Sequence, residues 1–567
     1  MSAVSPGFPP IDKSIASHSR KFSRVMLAVW IAMAICWFIQ GYTSRHTLIA
    51  ADGISYIEIA YGVLEGNWHA LLNTYWSPGY PLVLAAFLKV FHPRPQYELP
   101  MMRLVGWLTL VACLGAFEYF VCAFLRFRQS LESASGGQEE PLLPAREFRV
   151  LAYALFFWCT TVLVPSSNEH PDILVFLIYL LASAIAMDLL TVRRGYARYI
   201  LFGALLGAGF IAKAIFYPIS FIFFVAMLPY KGQRNAKLLV TFITFAIVCT
   251  PLIAGLSLRS HRLTVGDAGG VNRAQINNFY SFENFSPGTP VSASPHIQIF
   301  SGPEWHGLYP PWTEPSIRFT GHVPHIPLRM QLNRTHIVLR AYFDLFVATV
   351  GGFTCGLLVL IFLQRDFTGF VGRFIRQTTL WLPALAGFAA YATIRVEGRF
   401  LPGFTIGLFA AICGALDAAR IPGGAKFARY IVLAATIFLV AQGLAEVGHT
   451  SSNNVGYPDW EAAAALPQFG VAPGDKVGFM GNGLEDHFWA HLARVSIIGE
   501  IPKEDVALYW AATPEQRQAA LQQIAAAGAK ALVTPNVPAT AMADGWKQLG
   551  DSHYYVLELA SASAPRP

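Results

Sequence analysis

An aspartate stands a short way past the first long apolar run, in Ala51-Asp52-Gly53-Ile54-Ser55-Tyr56-Ile57-Glu58, and aromatic residues crowd after it: Tyr56, Trp68, Tyr75, Trp76 and Tyr80. A carboxylate near a bilayer is costly unless it is paired or used, and aromatic faces beside a carboxylate suit sugar recognition. Two plainer readings fit the same residues. Asp52 can cap a helix, and the rings can form an interfacial aromatic belt. More charges fall at the ends of apolar runs. Glu169 and Asp172 sit in Glu169-His170-Pro171-Asp172, Lys213 lies near the end of the run 199–216, and Arg395, Glu397 and Arg399 lie between the runs 377–394 and 400–418. Here too a structural role stays open. Acids at a helix start favour its dipole, a lysine at a helix end snorkels, and either arginine can pair with Glu397.

The elements that must position these residues are membrane helices. The 567 residues are 54% hydrophobic and only 13% charged, against about 25% charged in soluble domains. A mean hydropathy of +0.44 over the whole chain excludes a soluble enzyme with one anchor, because about 20 apolar residues would be diluted by the rest. The net charge of +7 reads as loop topology and not as nucleic-acid binding. Apolar runs lie at 24–42, 101–125, 149–164, 172–190, 199–216, 217–229, 238–256, 338–363, 377–394, 400–418 and 430–447, which predicts eleven helices. The run Pro78 to Phe91 is short and fenced by Pro78, Pro81 and Pro93. Leaving it out of the count puts the N-terminus, Arg126 to Arg149, Arg193 to Arg198, Lys231 to Lys237, Arg365 to Arg376 and Arg420 to Arg429 all on one side, as positive-inside bias requires. It is therefore expected as a juxtamembrane helix, and Tyr217-Pro218 as a tight hairpin.

The expected organisation is a transmembrane module over 1–447, with outer loops 43–100 and 257–337, followed by an extracytoplasmic α/β domain over 448–567. The N-terminus has the charge order of a signal peptide, but its apolar stretch is too long and lacks an A-x-A-like site, so an uncleaved first span with a cytoplasmic N-terminus is expected. In the tail, strands are predicted at Lys476 to Met480, Val495 to Gly499, Ala531 to Thr534 and Tyr554 to Leu559, and helices at Leu484 to Leu492 and Pro514 to Ala527. Gly478-Phe479-Met480-Gly481-Asn482-Gly483 lacks the G-x-G-x-x-G spacing and reads as a tight strand-to-helix connection. Glu485-Asp486-His487 with His491 reads as a solvated helix face. All seven cysteines fall inside apolar runs, which excludes a disulfide framework and a cysteine zinc site.

Taken in order, Asp52, Ser77-Pro78-Gly79-Tyr80-Pro81, Arg103, Glu169-His170-Pro171-Asp172, Lys213 and Glu397-Gly398-Arg399-Phe400-Leu401-Pro402 resemble the GT-C glycosyltransferases. The nearest likeness is to bacterial relatives of protein O-mannosyltransferases and of the lipid A aminoarabinose transferase, over residues 20 to 450. The resemblance implies a polytopic α-helical membrane protein of the plasma (inner) membrane. Such a protein moves a hexose or pentose from a polyprenyl-phosphate-linked donor to a protein, lipid or glycan acceptor on the extracytoplasmic face. It implies Asp52 as general base in an inverting transfer, with Lys213, Arg395 and Arg399 at the donor phosphate. Glu169, Asp172, Tyr56 and Glu397 would support the cavity. No cofactor is implied, and no metal is expected, since the first loop lacks Asp-x-Asp. A lipid or polysaccharide transporter, or a non-catalytic relative, is the alternative, although no inverted repeat is apparent.

Overall fold

The computed structural model describes residues 13–47, 51–134, 141–192, 194–230, 235–276, 289–293, 295–300, 309–315, 327–348, 350–421, 423–452 and 457–559. Arg193, Lys231 and much of the loop 257–337 lie outside the described residues.

The protein is mostly helical, and the predicted apolar runs fall on helices, with the runs 199–216 and 338–363 each interrupted. Among the described residues, five helices are long and apolar enough to cross a membrane, within Arg24–Thr43, Pro95–Ser133, Asp172–Thr191, Ala236–Ser260 and Lys426–Ser451. The run 338–363 is bent by 91° between Leu328–Val347 and Gly351–Phe362, and would be a sixth crossing if the pair forms one span. The remaining apolar helices are 10–17 residues long, Gly79–Phe91 among them.

Close backbone approach holds the bundle together. The helix Tyr196–Ala212 packs along Asn235–Arg259, and a β-carbon on Gly203 would meet the Thr241 carbonyl oxygen at 2.2 Å. Between helices in lipid, small residues of this kind supply the contact that hydrophobicity cannot. The hairpin expected at Tyr217-Pro218 falls earlier. The chain leaves the helix Tyr196–Ala212 at Lys213, whose backbone is extended, and Pro218 lies in the first turn of Phe216–Met227, where its missing N–H leaves no bond unmade.

The helices Asp52–Leu64 and Gly79–Phe91 pack on each other, and Gly79–Phe91 also packs on Glu98–Ala134 and Tyr196–Ala212. Against them packs a seven-stranded sheet: β1 Thr289–Ala293, β2 His296–Ile299, β3 Lys476–Gly481, β4 Ser496–Pro502, β5 Ala531–Thr534, β6 Lys547–Gln548 and β7 Tyr555–Glu558. The order is β1-β2-β4-β3-β5-β7-β6. β3 runs parallel to β4 and β5, and every other pair is antiparallel. The helix Pro514–Ala526 opens with a capping box between Thr513 and Gln516. Two strands, β1 and β2, come from the loop 257–337 rather than from the tail. One hydrophobic cluster joins Ile54, Ile57, Leu84 and Met102 to Val477, Phe479 and Trp489, so the sheet and the helix carrying Asp52 share a core.

Candidate functional site

A cavity of about 1090 Å³ opens where these layers meet. Asp52 and Tyr56 enter it from the first turns of Asp52–Leu64, and Tyr75 and Trp76 from the turn before Gly79–Phe91. His170 comes from the connection leading into Asp172–Thr191, Lys213 from the break after Tyr196–Ala212, and Arg395, Glu397 and Arg399 from the segment between Thr378–Ile394 and Pro402–Ala415.

Asp52 is not a cap. The N-cap position is Ala51, with no side-chain capping bond, and the Asp52 carboxylate turns into the cavity. Its Oδ2 lies 3.1 Å from His170 Nε2 and 3.5 Å from Arg399 Nη2, and its Oδ1 accepts from Trp312 Nε1 at 3.3 Å. Burial pushes the Asp52 carboxyl up. The hydrogen bond and charge of His170, then Arg399 and Trp312, outweigh that and hold it well below the usual carboxylate range. Asp52 is therefore ionised, and its side chain remains 22% exposed.

The cations sit in a chain of carboxylates. Arg399 Nε lies 2.6 Å from Glu397 and 3.7 Å from Asp172. Lys213 Nζ donates to Asp172 at 2.5 Å and stands 4.0 Å from the centre of the Phe400 ring. Arg395, which is 48% exposed, lies 2.6 Å from Glu397. Asp172 is almost fully buried beneath Lys213 and Arg399, so two cations compensate its charge.

Glu169 departs from the sequence expectation. It does not line the cavity but is fully buried, paired with Arg103 at 2.5 Å. Arg103 also donates to the carbonyls of Ser44 (3.2 Å), Thr47 and Ser167, tying the end of the first helix to the loop before His170. Gly53 completes this arrangement, since a β-carbon there would meet Glu169 Cβ at 2.8 Å. Only a glycine lets the Asp52 turn lie so close to the Glu169–His170 segment. Gly79 plays a like part, because its β-carbon would fall 2.7 Å from Ala212 Cα, next to Lys213.

Two site residues carried little sequence signal. His170 was one letter of a short motif, and Trp312 belongs to the turn Pro310–Thr313 within a loop that shows no periodicity. The Trp312 carbonyl accepts from Ser55 Oγ at 3.1 Å and Trp76 Nε1 at 3.0 Å, which pins this turn over the start of the Asp52 helix. Prolines flanking a tryptophan were the available clue. The expected solvated face at His487 and His491 is overturned, since both side chains are buried. His491 bridges Glu58 and Glu98, with Nε2 2.6 Å from Glu98. Among the described residues, no group of three His, Cys, Asp or Glu is placed to hold a metal ion.

The charged cavity thus lies where the helices Asp52–Leu64 and Gly79–Phe91 meet the breaks at Lys213 and Arg399, next to a mixed sheet that shares their core. No protein-family model and no curated protein matches the sequence. Among solved structures, the chain is similar to ArnT from Cupriavidus metallidurans in the apo state, with a TM-score of 0.53 at 12% identity over 98% of this chain and 100% of that one. The same protein bound to undecaprenyl phosphate gives a TM-score of 0.52 at 13% identity over 95% and 99%. An oligosaccharyltransferase from Archaeoglobus fulgidus, crystallised with zinc and sulfate, aligns more loosely, with a TM-score of 0.49 at 12% identity over 89% and 67%. At these identities the likeness is one of fold.

Proposed function

We propose that the chain is an integral-membrane glycosyltransferase that moves a sugar from a polyprenyl-phosphate donor to an acceptor hydroxyl, with inversion. One observation carries the reading. Asp52, Lys213, Arg395 and Arg399, drawn from distant parts of the sequence, face one cavity. The solved ArnT structure with undecaprenyl phosphate, on the same fold, supports a lipid phosphate as the partner.

In this reading Asp52 takes the acceptor proton as the acceptor oxygen bonds to the anomeric carbon. The bond from that carbon to the phosphate oxygen breaks, and its electron pair leaves on the polyprenyl phosphate. Asp52, held low, is a weak base, so its contribution comes from staying ionised and aimed. Lys213, Arg395 and Arg399 meet the charge that develops on the leaving phosphate. Arg395 and Arg399 are paired with Glu397, so the phosphate competes with that carboxylate for them. Tyr75, Trp76 and Trp312, whose ring centres lie 4.4 to 5.7 Å apart, wall the sugar side.

The same reading makes 1–447 a transmembrane module of eleven crossings with a cytoplasmic N-terminus, and 448–567 an extracytoplasmic domain that borrows β1 and β2 from the second outer loop. Leu484 and Glu485 on the cavity wall give that domain a part in choosing the acceptor. In a background without the exposed Cys355, impermeant thiol reagents added from outside should label Gln518→Cys and not Ala145→Cys. Labelling of both from one side would overturn the topology. Function is tested in proteoliposomes with a panel of radiolabelled polyprenyl-phosphate hexoses and pentoses, scoring sugar released to water or to added lipid and protein. Transfer by the wild type that Asp52→Asn abolishes is expected; equal turnover by both removes the reading.

A further inference from the structure

Charge in the cavity is already balanced within the protein. Lys213, Arg395 and Arg399 stand against Asp52, Asp172 and Glu397, and each cation has a carboxylate oxygen at 2.5 to 2.6 Å. An entering phosphate must draw these cations from partners they already hold. A donor that no protein acceptor holds would meet it without that cost, and the cavity has two. Tyr56 and Tyr391 line it while only 5% and 3% exposed, and among the described residues neither hydroxyl has a hydrogen-bond partner. The third tyrosine of the cavity wall differs, since Tyr75 donates to Asn272 at 3.4 Å. Tyr80 has no partner for its hydroxyl either, but that oxygen is sealed in the core away from the cavity. A buried hydroxyl without a bond costs stability, and two of them on one cavity wall mark where a ligand supplies acceptors.

Packing fixes where both phenols stand. Tyr56 follows Asp52 by one helical turn and so shares its face, with its ring edge-on to Trp76 at 5.0 Å and to Tyr80 at 5.4 Å. Asp52, Asp172 and Arg399 are the charges acting on its hydroxyl. Burial, then Asp52 and Asp172, holds this phenol well above its ordinary value, so it keeps its proton and stays a donor. Tyr391 stacks on Phe400 at 4.6 Å, and the same Phe400 ring carries Lys213 at 4.0 Å and Arg399 at 5.0 Å. Asp172, Arg399 and Glu397 act on the Tyr391 hydroxyl. Arg399 is thus a neighbour of both phenols, at the end of the cavity read as the phosphate site.

We propose that Tyr56 and Tyr391 bind the phosphate of the polyprenyl donor as uncharged donors, adding two phenol hydrogen bonds to those of the three cations. The assignment rests on the glycosyl-transfer reading of the cavity. Neither phenol gives up its proton. The charge that gathers on the leaving phosphate is met by their O–H dipoles as well as by Lys213, Arg395 and Arg399.

The test measures binding of a polyprenyl phosphate and of the matching polyprenol to full-length protein in detergent, for the wild type, Tyr56→Phe, Tyr391→Phe and the double variant. Phenylalanine keeps the ring and its packing and removes only the oxygen. Each single change should weaken polyprenyl-phosphate binding about tenfold, as loss of a hydrogen bond to a charged group does, and the double variant should bind more weakly than either. Polyprenol affinity and Tm should stay at the wild-type values. Tyrosines with a merely structural part would instead lower Tm or weaken both lipids alike, and that result overturns the assignment. Wild-type affinity for polyprenyl phosphate in both single variants overturns it as well; a loss confined to the sugar-bearing donor would then give the hydroxyls to the sugar. Lys213→Ala separates these failures from that of the underlying reading. If it weakens phosphate binding while the phenylalanine variants do not, only the tyrosine assignment is lost. A wild type that binds the phosphate no better than the alcohol removes the glycosyl-transfer reading, and the assignment falls with it.

Discussion

The helix Asp52–Leu64 carries two histidine–carboxylate clusters, and they differ in access. At its first turn, Asp52 meets His170 and Arg399 with each of the two acid and arginine side chains about one-fifth exposed. Farther along, Glu58 meets His491, and His491 meets Glu98, with all three side chains at most 2% exposed. Arg494 and Tyr61 close this second cluster, and the core shared by helix and sheet seals it. The residue types are nearly the same. A ligand can reach the first cluster and not the second, so the first is suited to chemistry and the second to fastening the sheet onto the helix that presents Asp52. Buried charge of the second kind is stable only while every partner is present.

Paired substitutions would break this contrast most sharply. Asp52→Asn is expected to cost about 10²–10⁴-fold in kcat with an unchanged Tm in detergent, while Glu58→Gln should lower Tm and leave kcat near the wild-type value. A loss of activity at Glu58 as large as that at Asp52 would make the two clusters one site. Next in size, His491→Leu removes the cation between Glu58 and Glu98 and should destabilise the protein by about 3–5 kcal/mol, read as a lower denaturation midpoint.

Arg399→Ala and Lys213→Ala, at the open cluster, should each weaken polyprenyl-phosphate binding about tenfold, as lost charge-assisted hydrogen bonds do, and each should also lower Tm, because it strips one cation from the buried Asp172. Unaltered affinity in both would remove them from the phosphate site. The smallest effect concerns pH. Burial and Arg494 push His491 down, and its bonds to Glu58 and Glu98 push it up by more, leaving it above the ordinary histidine value. A raised folded-state value means that the stabilisation contributed by His491 is complete below about pH 6.5 and is lost as the pH climbs through the raised value. Glu58, pushed up chiefly by burial, acts with the same sign from about pH 4.3 upward. Tm should therefore fall on the alkaline side, and His491→Leu should flatten that fall.

Much of the framework was legible in the sequence because it rests on local properties. Apolar runs give helices wherever the backbone must satisfy itself, and the runs fall on helices, two of them interrupted. The tail strands and the helix at Pro514 follow from short-range pattern and a capping box. The bend after Ala348 and the shift of the hairpin to Lys213 were not legible, since backbone breaks within apolar stretches depend on neighbouring helices. β1 and β2 were missed because their pairing partner, β4, lies some 200 residues later in the chain.

The sequence by itself determined a multi-helix membrane protein and put Asp52, Asp172, Lys213, Glu397 and Arg399 at the ends of apolar runs, because the cost of burying charge in lipid acts on each residue separately. Only the tertiary structure decided that Asp52, Lys213, Glu397 and Arg399 meet around one cavity with Asp172 buried against the two cations, that Glu169 turns away to Arg103, that Trp312 and His170 grip the two oxygens of Asp52, and that His491 is buried. Those outcomes depend on which charges find one another across segments far apart in the chain, and pairing of that kind leaves no trace in spacing.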